Sequence, residues 1–453
     1  MNDVIAAIAT GKVPCAIGIL RLSGCGCARI AGQVFTPDNG KPLWEAPAHK
    51  LVLGTLRDRQ GRVIDQALGV YCPAPHSYTG EDTVELQCHG SPAMLAAGLE
   101  ALFSKGARQA GPGEFTKRAF LNGQLDLTQA EAVIDLIDAE SADAAANAAG
   151  QLGGALLRQI DPIYERMTDL CSHFHAVLDY PDEDIEDFEI PELAAVLEDS
   201  AKALKKLLAT YEQGRHLKQG VKTVLLGRPN AGKSSLFNAL AGYDRVIVTE
   251  IPGTTRDTVE EPVRIGKVLL RLTDTAGIRE ASDRIEAMGV ERSEQAAREA
   301  ELAIFVCDGS EPLNEEDHRA MEAARKAPRS VGILNKSDKE CCVSAEELPF
   351  AQVISLSAQT GENLQQLRQL LEDWYVGETH CDGSLLTNAR QFGAITRGAE
   401  AIARAQSSLL LGLTPDAILT DVEEAMTALG EVTGRTIRED ITNRIFERFC
   451  VGK

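Results

Sequence analysis

The rhythm of hydrophobic and polar positions changes several times along the chain. Residues 1–118 alternate short apolar runs, at 16–22 and 50–56, with Gly- and Pro-rich breaks, which predicts an α+β module built on hairpins. From about Asp126 the spacing turns helical. Thr128-Gln-Ala-Glu131 reads as a capping box, Leu125, Ala132, Val133, Leu136 and Ile137 follow at helical intervals, and Gly150 supplies a stop. A second helix is predicted from Pro191 through Leu193, Leu197, Leu204, Leu207, Leu208 and Tyr211 to near Gly214. From Val221 the grammar is α/β. Apolar strands at 223–226, 268–272, 302–306, 330–334 and 352–356 alternate with helical segments, predicting a largely parallel sheet with helices on both faces. From about Thr387 to Phe449 the chain is helical again, so an α/β domain inserted into a helical one is expected.

Composition narrows the class. At 453 residues, and with about 150 residues per domain as a guide, the chain makes about three domains. Apolar residues at 44% and charged residues at 25% are the balance of a soluble globular protein. No apolar run approaches the roughly 20 residues of a transmembrane helix, and the opening MNDVIAAIATGK is no secretory signal. A net charge of −21 makes a poor generic binder of nucleic acid, so any such contact needs a local patch or a partner. The stretch 179–192 holds eight acids and no base, reading as a solvated loop or as a docking patch for a basic partner. Eleven scattered cysteines with no pair of CxxC units point to a reducing cytoplasm. In Cys171-Ser-His173-Phe-His175, residues 171 and 175 share a helix face and 173 does not, which favours packing over a metal box. Cys341-Cys342 lies in a polar loop.

Candidate chemistry concentrates in the α/β part. Gly227-Arg-Pro-Asn230-Ala231-Gly232-Lys233-Ser234 matches GxxxxGK[ST] between a strand and a helix, with Ser235 beside it. The glycines let backbone N–H groups close on phosphates, Lys233 reaches the β- and γ-phosphates, and Ser234 offers a hydroxyl to Mg²⁺. About twenty residues on, Thr254-Thr255-Arg256-Asp257 supplies a second hydroxyl. Asp274-Thr275-Ala276-Gly277 follows a strand as a Walker-B-type Asp with a glycine for the γ-phosphate. Asn335-Lys336-Ser337-Asp338 sets a carboxylate where guanine N1–H and N2–H can both donate, a pairing that discriminates by about 10⁴ or more. Ser357-Ala358 is a further base loop. Five motifs in this order look like a GTPase domain of the TRAFAC class over about 219–378. Where Ras-like enzymes carry a water-orienting Gln, this chain has Ile278. Hydrolysis therefore needs another water-orienting group, for which Glu286 is the candidate, and another charge, for which a monovalent cation on Asn230 is the candidate.

The ends carry further signatures. These are Gly18-Ile-Leu-Arg21-Leu-Ser-Gly24, Ser77-Tyr-Thr-Gly-Glu-Asp82, Pro112-Gly-Glu-Phe-Thr-Lys-Arg-Ala-Phe120 and the tail Phe449-Cys450-Val451-Gly452-Lys453. Together with GRPNAGKSS, GTTRD, DTAGIREASD and NKSD, they closely resemble the MnmE (TrmE) family of tRNA-modification GTPases over essentially the whole chain.

That resemblance implies a multidomain α/β plus α fold. A tetrahydrofolate-binding and dimerisation domain at 1–118 is expected, then a helical domain at 119–218 and 379–453 interrupted by the G domain at 219–378. It implies a cytoplasmic homodimer that pairs with the FAD-dependent partner MnmG in a heterotetramer, binds no membrane and acts on tRNA. The implied reaction adds an aminomethyl or carboxymethylaminomethyl group at C5 of the wobble uridine, with 5,10-methylenetetrahydrofolate as one-carbon donor and with K⁺-stimulated GTP hydrolysis. By the same resemblance K⁺ falls on Asn230, Thr249, Ile251 and Thr254, and Mg²⁺ on Ser234 and Thr255. Glu286 orients water, and the GTP contacts extend through Glu250, Pro252 and Gly253. Folate contacts fall on Arg21, Glu85 and Lys453, charges suited to the carboxylates and pterin edge of folate. Two departures stand out. Gln124 replaces a lysine often found there, and Pro252 replaces a small residue in the switch loop. Cys450 reads either as a nucleophile that assists one-carbon transfer or as a packed tail residue. The rival functions are a switch GTPase for ribosome assembly, which would usually carry a basic RNA-binding flank, and a folate-binding scaffold whose GTPase times partner release.

Overall fold

The computed structural model describes residues 3–11, 13–179, 190–243, 261–273, 289–376, 381–436, 442, 445–447 and 449–452. Two compact units emerge: Met1–Ile134 with Gln151–Glu198 and Arg397–Lys453, and Asp135–Gly150 with Asp199–Thr396.

The first unit is built on β1 (Ile5–Ile8), β2 (Cys15–Ser23), β3 (Phe35–Pro37), β4 (Val52–Arg57), β5 (Val63–Cys72), β6 (Thr83–Gly90) and β7 (Arg108–Gln109). They form one sheet in the order β3-β4-β5-β6-β2-β1-β7, antiparallel except where β7 joins β1 in parallel. The period-2 alternation is plain. Leu20 and Leu22 of β2 and Val84 and Leu86 of β6 are buried in one core, while Arg21 and Glu85, directly paired in register, face the other way. The helix Pro92–Ser104 covers the apolar face through Leu95, Ala101 and Leu102.

The second unit holds β8 (Val221–Leu226), β9 (Glu261–Ile265), β10 (Val268–Thr273), β11 (Leu302–Asp308), β12 (Arg329–Asn335) and β13 (Val353–Ser355). Their order is β13-β12-β11-β8-β10-β9, parallel except for β9. All of β11 is buried, and its side chains divide between two cores. Ile304 and Val306 pack with Leu236 and Leu367 of the helices Lys233–Tyr243 and Leu364–Tyr375. Phe305 and Cys307 pack with Ala297 and Met321 of the helices Gly289–Glu299 and Glu315–Ala324. This is the sheet with helices on both faces that the sequence predicts. The loop after β8 opens between β10 and β11, where strand order reverses, the usual ligand position of a doubly wound sheet.

Three helix boundaries differ from expectation. The capping box lies two residues before Thr128. Asp126 Oδ1 accepts from the Thr128 and Gln129 backbone N–H groups, and Gln129 Oε1 accepts from Asp126 N–H. Thr128 and Glu131 are instead buried. Gly150 does not stop the helix Leu127–Ile137, which ends earlier, but lies within a new helix, Ala142–Leu152. Gly214 likewise lies inside the helix Tyr211–Gln219, which Gly220 ends at φ 77°. Both glycines serve close approach: a Cβ on Gly150 would stand 2.1 Å from the Asp382 carbonyl, and one on Gly214 2.0 Å from that of Leu386. Among the described residues no helix is long and apolar enough to cross a membrane.

Candidate functional site

The phosphate loop follows β8. Its backbone takes left-handed φ at Gly227 (147°), Asn230 (61°) and Gly232 (98°), which bends the chain into a cradle before the helix at Lys233. The glycines are enforced by space as well as by φ. A Cβ on Gly227 would lie 2.0 Å from the Val306 carbonyl, and one on Gly232 2.0 Å from Asn335 Nδ2. Lys233 Nζ donates to the loop carbonyls of Gly227 (2.5 Å) and Arg228 (2.8 Å). Burial pulls its ammonium below the ordinary lysine range, against the opposite effect of Asp317 and Glu316. Asn230, Ser234 and Ser235 are exposed at the mouth of the loop, while Ala231 is fully buried beneath it.

Asn335 joins three loops. Buried at the end of β12, it donates from Nδ2 to the Ala231 carbonyl (2.9 Å) and accepts on Oδ1 from Ala358 N–H (3.0 Å). The phosphate loop, the NKSD loop and the Ser357-Ala358 loop therefore share one side chain. Lys336 has φ 68° and its ammonium pairs with Asp308. Lys339 N–H donates to the Lys336 carbonyl at 2.9 Å, closing a turn that carries Asp338. Asp338 is exposed, and a hydrogen bond with Ser357 holds its carboxyl below the usual range. These contacts bring Asn230, Ala231, Gly232, Lys233, Ser234 and Ser235 to one end of the sheet with Asn335, Lys336, Asp338, Ser357 and Ala358. Thr249, Glu250, Ile251, Pro252, Gly253, Thr254, Thr255, Asp274, Thr275, Ala276, Gly277, Glu286 and Lys453 lie outside the described residues.

Sequence spacing did not reveal two ion-pair sets behind these loops. Arg228 of the phosphate loop meets Glu311 at 2.6 Å and the buried Asp317 at 3.6 Å, and Lys336 of the base loop meets Asp308. The Asp308-Gly309 pair at a strand end was the available signal.

In the first unit, cross-strand neighbours Arg21 and Glu85 form an ion pair at 2.8 Å. The Arg21 guanidinium lies 5.6 Å from the Tyr78 ring centre and 5.7 Å from that of Phe115, and Nη1 donates to the Gly452 carbonyl at 3.4 Å. Tyr78 and Phe115 come from two of the N-terminal signatures, 77–82 and 112–120. The tail is seated there too: Pro112 bridges Val451, and Gly113 N–H donates to the Cys450 carbonyl at 3.3 Å. Gly452, at φ 104°, would place a Cβ 2.4 Å from the Ile8 carbonyl, so no other residue fits. Cys450 is exposed. The exposed Gln124 side chain lies over Gly80, close enough that a Cβ there would meet it at 3.1 Å. Among the described residues no group of three His, Cys, Asp or Glu could hold a metal. His175 instead meets Glu423 at 3.0 Å, and Cys171 packs on Met426.

Two family models and many full-length relatives match this chain. The family described as GTP-binding protein TrmE N-terminus matches residues 4–124, and the MnmE helical domain matches residues 127–450. The chain is 42% identical to the tRNA modification GTPase MnmE of Symbiobacterium thermophilum, covering all of both chains. This chain belongs to the MnmE family of tRNA modification GTPases. The Roseiflexus castenholzii member is also 42% identical over all of this chain and 99% of its own, and the Aquifex aeolicus member 39% over all of both. Family membership makes the chain a GTP-binding and GTP-hydrolysing enzyme of tRNA modification.

Proposed function

We propose that this MnmE-family chain adds an aminomethyl or carboxymethylaminomethyl group at C5 of the wobble uridine of certain tRNAs, with GTP hydrolysis stimulated by K⁺. It works in the cytoplasm as a homodimer with the FAD-dependent MnmG. In this reading 1–118 is the folate-binding and dimerisation domain, 219–378 the G domain, and 119–218 with 379–453 the helical domain. The observation that carries the reading is the pairing of Arg21 with Glu85 under the seated C-terminal tail, in the same chain as an assembled guanine-nucleotide site.

The donor chemistry fits the groups invoked. Ser234 and Asn230 are exposed oxygen donors at the loop mouth, suited to hard cations. Mg²⁺ there would neutralise charge developing on the phosphates, and K⁺ near Asn230 would add positive charge where Ras-type enzymes receive an arginine. Lys233 draws the phosphates toward the helix N-terminus, Asp338 selects guanine, and Glu286, outside the described residues, orients the attacking water. Tyr78, exposed beside Arg21, offers an aromatic face and a cation for a pterin with its glutamate tail, while the buried Phe115 backs the Arg21 guanidinium. When bound there, methylenetetrahydrofolate supplies the one-carbon unit. Arg21, Glu85, Gln124 and Lys453 hold and orient it, and Cys450 stands at the same tail.

The test is GTP hydrolysis at equal ionic strength in KCl and in NaCl, with nucleoside analysis of tRNA from cells lacking the chain. Faster hydrolysis in K⁺ and loss of the modified wobble uridine are expected. Equal rates would remove the cation role from Asn230. Unchanged tRNA nucleosides together with tetrahydrofolate binding would favour a folate-binding scaffold instead.

A further inference from the structure

The stretch from the end of β11 to Asp317 belongs to none of the five nucleotide motifs, yet it supplies the carboxylates that meet Lys336 and Arg228. Asp308 closes β11 and is 4% exposed. Its Oδ1 accepts from Ser310 N–H (3.0 Å) and Ser310 Oγ–H (2.6 Å), and its Oδ2 takes the Lys336 ammonium. Burial raises the Asp308 carboxyl, and the contacts with Lys336 and Ser310 more than reverse this, leaving it ionised well below neutral pH. Asp308 and Asn335 are also register partners across β11 and β12, and Gly309 N–H donates to the Asn335 carbonyl at 2.9 Å.

Lys336 is the residue with the conformational problem. Its φ of 68° is a left-handed backbone that side chains carrying a Cβ resist and glycine does not. The Lys336 carbonyl then starts the turn holding Asp338, so the backbone angle at 336 decides where Asp338 points. A fixed cation–carboxylate contact is a means of keeping an unfavourable backbone angle populated, because releasing the angle also strands a buried charge.

We propose that Asp308 is a positioning residue for the guanine-binding loop: through Lys336 it holds the left-handed turn that presents Asp338 to the base. The proposal rests on the reading of Asn335–Asp338 as that loop. Arg228, held by Glu311 and Asp317, is the corresponding tie on the phosphate side, so one segment braces both nucleotide loops.

Asp308→Asn keeps the shape and removes the charge. Release of a fluorescent GDP, followed by stopped flow in the full-length protein, should become about tenfold faster. The KM for GTP should rise by about as much, with a smaller fall in kcat. In a Lys336→Gly background, where the backbone is free to be left-handed, the same substitution should add less than twofold. Unchanged release from the folded Asp308→Asn protein overturns the proposal, and so does an equal acceleration in both backgrounds. If Asp308→Asn does not fold, Lys336→Gly is compared with Lys336→Met. The glycine chain should retain GDP about fivefold longer, and equal rates overturn the proposal. Asp338→Asn separates the two layers, since it should shift preference from GTP toward XTP. No shift removes the base-loop reading itself, whereas a shift alongside parent-like release from Asp308→Asn removes only the role of Asp308.

Discussion

Asn335→Ala should damage nucleotide binding far more than its size suggests. The side chain is 3% exposed and makes two contacts, to the Ala231 carbonyl at 2.9 Å and from Ala358 N–H at 3.0 Å. Truncation leaves both partners in buried residues with nothing to bond, at about 1–3 kcal/mol for each stranded group. Taking the lower half of that range, about 3 kcal/mol of loop organisation is lost. Loops that are no longer pre-assembled must be ordered by the ligand, so the loss appears mainly as affinity. At 1.4 kcal/mol per tenfold, GDP should bind about 100-fold more weakly. Calorimetric titration with GDP measures this, and thermal unfolding without nucleotide checks that the sheet survives. Asn335→Asp is the sharper companion. It keeps an acceptor for Ala358 but turns a carboxylate toward the Ala231 carbonyl, so it should bind no better than the alanine variant. Affinities within about threefold of the parent for both variants would refute the idea that one buried amide organises the three loops.

Two further predictions concern stability. Glu301 is pushed up by burial, but Arg215 at 2.6 Å and His216 at 2.7 Å outweigh this and bring its pKa down from 4.5 to about 2. At about 1.4 kcal/mol per pH unit that gap is about 3 kcal/mol, or about 2 after discounting for water at a partly exposed carboxylate. Because the folded value is depressed, this stability is complete above pH 4.5 and fades as pH falls toward 2. Glu301→Gln should therefore melt earlier than the parent at pH 7, with the difference shrinking by pH 3, and a difference independent of pH would contradict the assignment. Gly150→Ala sets about 1 kcal/mol of helix propensity in favour of alanine against a Cβ 2.1 Å from the Asp382 carbonyl. The clash should win by about 1–3 kcal/mol in urea unfolding, and a stabilised variant would show that the 382–383 backbone yields freely.

The same glycine explains what the sequence left hidden. Strands at 223–226, 268–272, 302–306 and 330–334 are legible because their runs are mostly apolar and largely buried, and each structural strand contains its run. Reading Gly150 and Gly214 as helix ends fails because local grammar does not register a distant carbonyl lying within 2.1 Å of where a Cβ would stand. The Asp126 cap is ambiguous in sequence, since Thr-x-x-Glu and Asp-x-x-Gln both fit a capping box and only the burial of Thr128 and Glu131 separates them.

The nucleotide loops are legible for a different reason: phosphate and guanine chemistry restricts their residue types, and the sheet fixes their order. Their supports are not, because Asp308, Glu311 and Asp317 answer to Lys336 and Arg228 across strands and not along the chain. The tail obeys the same rule from the other side. Cys450-Val451-Gly452 looks like a frayed end when read alone, yet Gly452 admits no Cβ against Ile8, and its carbonyl meets Arg21, a residue 431 positions earlier. Gly452 is thus fixed by Ile8 and Arg21, partners remote in sequence that local reading does not contain.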